Sequence, residues 1–255
     1  MATSENEQTD SSDESADESL AGEVVASDAD LVTVGTTVAA KPWFRRPVTL
    51  AVLGLIAAAL VAALVFLVGR DSSSPSSGSA AMTIPEYFSA NDITVTPVRR
   101  GDPGTPVISF TVPRGWSDAG PDAPEGAYGA AFYDNSVDPD YPPSIVVLLS
   151  KLSGNADPAK ILEYAPGELE SLPDYIVGSK PMTSTLSGFD AVQLAGLYTR
   201  EDGEQRLIAQ KTVVIPAPDG LYVLQMNADA PTAEAPALQE ATVLLDERSK
   251  ITAAP

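Results

Sequence analysis

Residues 189–228 read FDAVQLAGLYTREDGEQRLIAQKTVVIPAPDGLYVLQMNA, in which apolar, strand-like runs alternate with turn residues. Between the first and second runs, Asp202-Gly203 is a typical two-residue hairpin turn. The residues from Pro216 to Gly220 predict a second turn. The stretch therefore predicts a three-stranded antiparallel meander, with strands at Phe189–Arg200, Gln205–Ile215 and Leu221–Ala228.

Polar amides lie at positions of this meander where alternation would allow Leu or Val. If the turn pairs Glu201 with Glu204, then Gln193 faces Thr212 and Gln210 faces Ala195 across the hairpin. A buried amide lowers stability unless it is hydrogen-bonded. Either a helix supplies the missing partners, or these side chains line a ligand-binding cleft.

Trp116 ends a second strand-like run, in the sequence Pro113-Arg114-Gly115-Trp116. The indole either seals the rim of the core or caps an apolar pocket, beside an Arg114 that could hold an anion. In the binding hypothesis, the candidate ligand-binding residues are Trp116, Gln193, Gln210 and Thr212.

The elements around the meander predict an α+β fold, a mostly antiparallel sheet with helices packed on it. Ile84–Ala90 predicts a short helix. Asp157-Pro158 predicts the start of a second helix, which Pro166-Gly167 should break or bend midway. Residues 234–249 predict a final helix. Further strands are expected at Ile93–Val98 and Val107–Val112, as a hairpin around Asp102-Pro103-Gly104, and at Tyr128–Tyr133 and Ser144–Leu152.

The region before the predicted domain divides by composition into four segments. Residues 1–40 hold ten acidic and no basic residues and predict a disordered acidic tail. Residues 41–47 are basic, and residues 48–68 (VTLAVLGLIAAALVAALVFLV) carry no charge and are long enough for one transmembrane helix. Residues 69–82 are a flexible linker rich in Ser, Gly and Pro, and residues 83–255 form the predicted domain.

Basic residues before the uncharged run set the predicted orientation. Lys41, Arg45 and Arg46 precede it closely, whereas Arg70 alone follows closely. Positive charge stays on the cytoplasmic side. The sequence therefore predicts a single-pass protein of the cell membrane, with a cytoplasmic tail and an extracytoplasmic domain near the membrane surface. A cleaved signal peptide is the alternative for the same run.

The composition restricts the chemistry. The chain of 255 residues has a net charge of −20 and contains neither Cys nor His. The acidic balance argues against nucleic acid, and the missing residue types exclude disulfides, thiol nucleophiles and His-based catalytic dyads. Asp134, Asn135, Asp138 and Asp140 share one loop, but the EF-hand spacing is absent, so a solvated turn is favoured over a Ca²⁺ site. We expect no cofactor, no metal and a monomeric domain.

Several stretches from Thr83 onward resemble the LpqN/LpqT-like lipoprotein family of mycobacteria and related actinomycetes. They include TIPEYFSANDITVTPVRRGDPG, VPRGW, DPAKILEYAPGELESLP and AQKTVVIP. The resemblance implies a PsbP-like α/β/α sandwich in the cell envelope, with links to envelope lipids, glycolipids and protein partners such as lipid-export proteins. Members named as lipoproteins carry a lipidated Cys. This chain has none, so residues 48–68 are expected to serve as the anchor instead.

These observations favour a non-enzymatic, membrane-anchored binding or accessory protein of the envelope. No GxSxG, GxGxxG or Walker-type motif occurs in the sequence. Two hypotheses of other classes stay open: an envelope hydrolase with an unrecognised carboxylate site, and a sensor that signals through the acidic tail.

Overall fold

The computed structural model describes residues 82–254. The predicted tail, basic segment, membrane helix and linker up to residue 81 lie outside these residues. Within residues 82–254, no helix has the length and hydropathy to cross a bilayer. The helices are α1 (Ile84–Ala90), α2 (Pro158–Glu170) and α3 (Ala235–Arg248).

Eleven strands accompany the helices, and nine of them form one antiparallel sheet in the described region. Its order is β3-β4-β5-β10-β9-β8-β6, with β1 also pairing with β5 and β7 also pairing with β8. The other two strands, β2 and β11, pair with each other. The strand bounds are β1 Thr94–Pro97, β2 Val107–Ser109, β3 Trp116–Asp118, β4 Gly129–Tyr133, β5 Ser144–Ser153, β6 Ile176–Val177, β7 Met182–Leu186, β8 Phe189–Thr199, β9 Gln205–Ala217, β10 Gly220–Pro231 and β11 Lys250–Thr252.

The two helices on one side begin with caps that the sequence encodes. At α1, the Thr83 side chain accepts a hydrogen bond from the Glu86 backbone N–H, and the Glu86 carboxylate accepts one from the Thr83 N–H. At α2, Asp157 Oδ1 accepts from the Ala159 N–H at 2.9 Å. These side chains satisfy N–H groups that a helix start leaves unpaired. Of the predicted break or bend at Pro166-Gly167, the break is wrong, because α2 continues through Pro166 to Glu170.

The sheet is the middle of three layers. α1 and α2 pack on one face against side chains such as Val214 and Val223, and α3 packs on the other against Leu224 and its neighbours. Because side chains alternate along a strand, each of β5, β9 and β10 contributes to both cores. The strand Ile145–Leu149 is buried throughout, as its continuous apolar sequence predicts.

The predicted hairpin between Ile93–Val98 and Val107–Val112 is wrong. β1 pairs instead with the end of β5, and the Val98 N–H donates to the Leu149 carbonyl at 2.8 Å. β2 pairs with β11 in a separate two-stranded sheet. The long apolar strand β5 offers β1 a more buried partner than the short β2 could.

The meander is confirmed as β8-β9-β10, but its first turn is one residue longer than predicted. The Arg200 N–H donates to the Glu204 carbonyl at 2.9 Å, so the loop is Glu201-Asp202-Gly203. Gly203 has φ +87°, the left-handed conformation that closes a three-residue loop. The extra residue shifts the register by one position, and it pairs Gln193 with Lys211 and Gln210 with Leu194.

Candidate functional site

A cavity of about 290 Å³ lies between α3 and the sheet. Its floor comes from the middle of β8, β9 and β10, where three alanines leave space beneath the helix. Met182 and Val243 line the cavity and are exposed, so they mark its mouth. The apolar walls include Ile145, Met182, Ala195, Ala209, Met226 and Val243.

One end of the cavity is polar. Lys211, on β9, forms an ion pair with Asp246 of α3, and its Nζ also donates to the Thr185 carbonyl at 3.3 Å. Beside it on β8, Gln193 Oε1 accepts a hydrogen bond from Ser184 Oγ at 3.3 Å. Because directly paired residues point to the same side of a sheet, the Gln193 amide and the Lys211 ammonium are neighbours.

The structure brings only two of the sequence-predicted site residues to the cavity, because Gln193 and Gln210 line it and Trp116 and Thr212 do not. The Gln193 side chain lies on the α3 face of the sheet, whereas the side chains of Gln210 and Thr212 point to the α2 face. The predicted contact of Gln193 with Thr212 is therefore wrong, because the longer loop moves the two residues to opposite faces. Trp116 lies on the edge strand β3, buried in the α3-side core with its ring centroid 5.6 Å from that of Tyr133.

Gln210 and Thr212 belong to a polar cluster buried under α2. Glu168 Oε2 accepts from Gln225 Nε2 at 2.8 Å and from Gln210 Nε2 at 3.3 Å. Gln210 Nε2 also donates to Asn227 Oδ1 at 3.0 Å. Helix α2 thus supplies a hydrogen-bond partner for the Gln210 amide, as expected by the alternative in which a helix satisfies the amides of the meander.

Several atoms of this cluster keep no hydrogen-bond partner among the described residues, Glu168 Oε1, Gln210 Oε1 and Thr212 Oγ1 among them. Burial raises the pKa of Glu168 to about 7, although the two glutamines oppose the shift by donating to its carboxylate. Glu168 does not line the cavity, and a carboxyl that takes up a proton on folding makes the stability of the domain depend on pH.

The sequence reasoning missed Lys211, Asp246 and Glu168. For Glu168 a signal existed, because it follows Ile161 by seven residues and Ala165 by three, on the apolar side of the helix. For Lys211 the alternation along β9 carried the signal, since Ala209 and Val213 share its face. A correct register was needed to bring Lys211 beside Gln193.

The acidic loop at Asp134–Asp140 is held by a carboxylate. Glu234 accepts hydrogen bonds from Ser136 Oγ at 2.8 Å and from the Val137 N–H at 3.2 Å. No group of three or more Asp, Glu, His or Cys side chains in residues 82–254 is placed to hold a metal ion.

Comparison with known proteins agrees with this architecture. A family model described as Probable lipoprotein LpqN matches residues 80–252. Lipoprotein LpqN of Mycobacterium tuberculosis (strain ATCC 25618 / H37Rv) is 45% identical over 170 residues, which cover 67% of this chain and 74% of that protein.

A solved structure of LpqN, described as involved in cell envelope biogenesis of Mycobacterium tuberculosis, matches with a TM-score of 0.64 and 44% identity. The match covers 69% of this chain and 99% of the solved one, so in that relative a chain consisting of this domain alone is folded. The mostly antiparallel α+β fold predicted from the sequence is confirmed. The chain belongs to the family of the probable lipoprotein LpqN.

Proposed function

We propose that this protein is a non-enzymatic binding or accessory protein of the cell envelope, which holds an amphiphilic lipid or glycolipid in the cavity between α3 and the sheet. The observation that carries the proposal is the cavity itself, with apolar walls and polar groups gathered at one end. Apolar walls with a few convergent polar groups are typical of small-molecule sites, whose volumes begin near 300 Å³.

Small side chains create the space. Ala195, Ala209 and Ala228 lie side by side on three strands at the cavity floor. Larger residues at these positions would fill the gap below α3, as Val213 and Leu224 do further along the same face. Close-packed cores rarely keep voids of this size, so we infer that a ligand occupies the cavity. The apolar walls suit an acyl chain.

The envelope location rests on two supports. The relative LpqN is named as a lipoprotein and is described as involved in cell envelope biogenesis. In this chain, the uncharged residues 48–68 would anchor the domain, with residues 1–40 in the cytoplasm and the domain outside. We propose that lipids or lipid-export proteins of the same membrane are the partners.

The binding proposal is preferred to the hydrolase alternative. The sequence contains no His and no Cys, the commonest bases and nucleophiles at neutral pH. The carboxylate at the cavity is Asp246, and Lys211 neutralises it. Among residues 82–254 no second carboxylate lines the cavity, whereas acid–base hydrolysis by carboxyl groups uses a pair.

The test is recovery of the natural ligand. The full chain would be affinity-purified from membranes, and the co-purified lipids and proteins identified by mass spectrometry. The variant Ala195→Phe places a ring in the cavity and is expected to lose the lipid while it keeps the fold. Ala217→Phe, a half-buried alanine on β9 outside the cavity walls, is the matched control. Equal lipid recovery from both variants would contradict the proposal.

A further inference from the structure

The polar end of the cavity offers hydrogen-bond donors that have no acceptor within residues 82–254. A lysine ammonium has three N–H donors. For Lys211 two of them are directed to Asp246 and to the Thr185 carbonyl. The third has no acceptor within residues 82–254.

Two further cavity residues, Gln193 and Ser179, also have hydrogen-bond donors available for a ligand. Gln193 Oε1 accepts from Ser184 Oγ at 3.3 Å, which leaves the amide N–H groups to donate. Ser179 Oγ accepts from the Ala195 N–H at 3.0 Å, which leaves its hydroxyl proton to donate. A ligand group that matches this set must accept several hydrogen bonds, and a negative charge would match the ammonium.

Lys211 and Asp246 differ in their access to water. The Lys211 side chain is 9% exposed and fixed in the middle of the sheet, whereas the Asp246 side chain is 48% exposed on α3. The aspartate can turn outward and be solvated at low cost, but the ammonium cannot leave the cavity. An ammonium left alone there would be destabilising, so any group that displaces Asp246 must replace its charge.

We propose that the cavity binds a fatty-acid-type ligand, whose carboxylate replaces that of Asp246 on Lys211 and whose chain lies along Ala209, Met226 and Val243. Asp246 occupies the carboxylate position on Lys211 in this structure and turns to solvent when the ligand enters. The inference rests on the proposed binding function and adds the charge and the orientation of the ligand.

The first experiment compares three ligands that share one chain and differ in the head group: decanoate, decanol and decyltrimethylammonium. Each would be titrated by calorimetry, below its micelle concentration, into the purified domain of residues 82–255. A head group that takes the place of Asp246 on Lys211 must carry its negative charge, so decanoate is expected to bind about tenfold or more tightly than decanol, whose hydroxyl cannot replace that charge. The cationic ligand is expected to bind most weakly.

Two variants at the ion pair should act in opposite directions. Lys211→Met is expected to reduce decanoate affinity about tenfold and to leave decanol affinity nearly unchanged. Asp246→Asn removes the competing carboxylate from an exposed position, and it is expected to increase decanoate affinity by about threefold or more. Lys151→Met and Asp219→Asn are the matched controls, because this ion pair of 2.6 Å lies on the surface outside the cavity walls.

The outcomes separate the two proposals. If decanol binds as tightly as decanoate in the parent and in both ion-pair variants, the inference about the carboxylate is wrong and the binding function stands. If none of the three ligands binds the parent, the inference fails, and the lipid-recovery experiment alone decides the binding function. If Lys211→Met does not fold, a failure of Asp246→Asn to increase decanoate affinity would still overturn the inference.

Discussion

Glu168 carries a carboxyl group into the layer between α2 and the sheet, where Gln210 and Gln225 donate to one of its oxygens. Its other oxygen and Gln210 Oε1 are both without a partner in the described residues. A proton on Glu168 would turn that oxygen into a donor. The raised pKa of Glu168 follows from burial, which the hydrogen bonds from the two glutamines partly oppose.

The pH dependence of stability follows from this carboxyl. Because the pKa of Glu168 rises from 4.5 to about 7 on folding, the folded chain retains a proton that the unfolded chain releases. Its contribution to the free energy of unfolding is therefore greatest below pH 4.5 and falls as the pH rises to about 7. Glu168→Gln should remove this loss and stabilise the domain at pH 8, by at most about 3 kcal/mol.

Urea unfolding of the parent and Glu168→Gln at pH 5 and pH 8 would measure the effect. Glu163→Gln, on the exposed side of the same helix, is the control, since its partner Lys160 is also exposed. A Glu168→Gln variant with the same pH dependence as the parent would show that Glu168 does not titrate in this range.

The two amides on opposite faces of the sheet should respond differently to the same substitution. Gln210→Leu removes a donor to Glu168 and to Asn227, so we expect a loss of about 1–3 kcal/mol in stability with ligand recovery unchanged. Gln193→Leu, at the cavity, should change ligand recovery and affect stability little. Thermal unfolding and lipid analysis of both variants test this, and reversed effects would contradict the assignment of Gln193 to the ligand site.

At the scale of single elements, the β8–β9 loop decided how much of the site the sequence could predict. The amides in the meander were correctly recognised as unusual. Their partners were not, because Asp202-Gly203 suits both a two-residue turn and the last part of a three-residue loop. A shift of one residue exchanges the faces of every pair in the hairpin. The choice between the two loops depends on packing against α2 and α3, which local sequence does not encode.

Gly203 is expected to stabilise this loop by its conformation alone. No atom lies within 4 Å of the position that a Cβ would take, so a substitution tests the backbone and not a steric clash. Gly203→Ala should lower stability by about 1 kcal/mol, because a side chain disfavours a positive φ. Gly203→Asn should lower it less, since Asn tolerates the left-handed region. Urea unfolding measures both, and equal losses would argue against this explanation.

For the whole molecule, the sequence predicted the elements better than their partners. The helices, the meander and the buried strand β5 follow from periodicity and caps, which are local signals. The pairings of β1 with β5 and of β2 with β11 join distant parts of the chain, so no local signal specifies them. The cavity and its ion pair depend on the same long-range packing.

Anchoring is also a property of the whole chain. We propose that residues 48–68 hold the protein in the membrane. Arg at both Ala58 and Ala59 would add two charges near the centre of that run, each at a cost of about 2.5–3.5 kcal/mol. Insertion should then fail and the domain should stay in the cytoplasm. Fractionation and protease protection of spheroplasts would measure this, and normal membrane retention of the double variant would place the anchor elsewhere.

The pairing of β2 with β11 also affects the order of folding. Residues 107–109 pair with residues 250–252, which lie far along the chain from them. Bringing such distant segments together costs chain entropy before their contacts can offset it, so we expect this two-stranded sheet to form late in folding. Until it forms, the α3-side core lacks the buried Ile251 side chain.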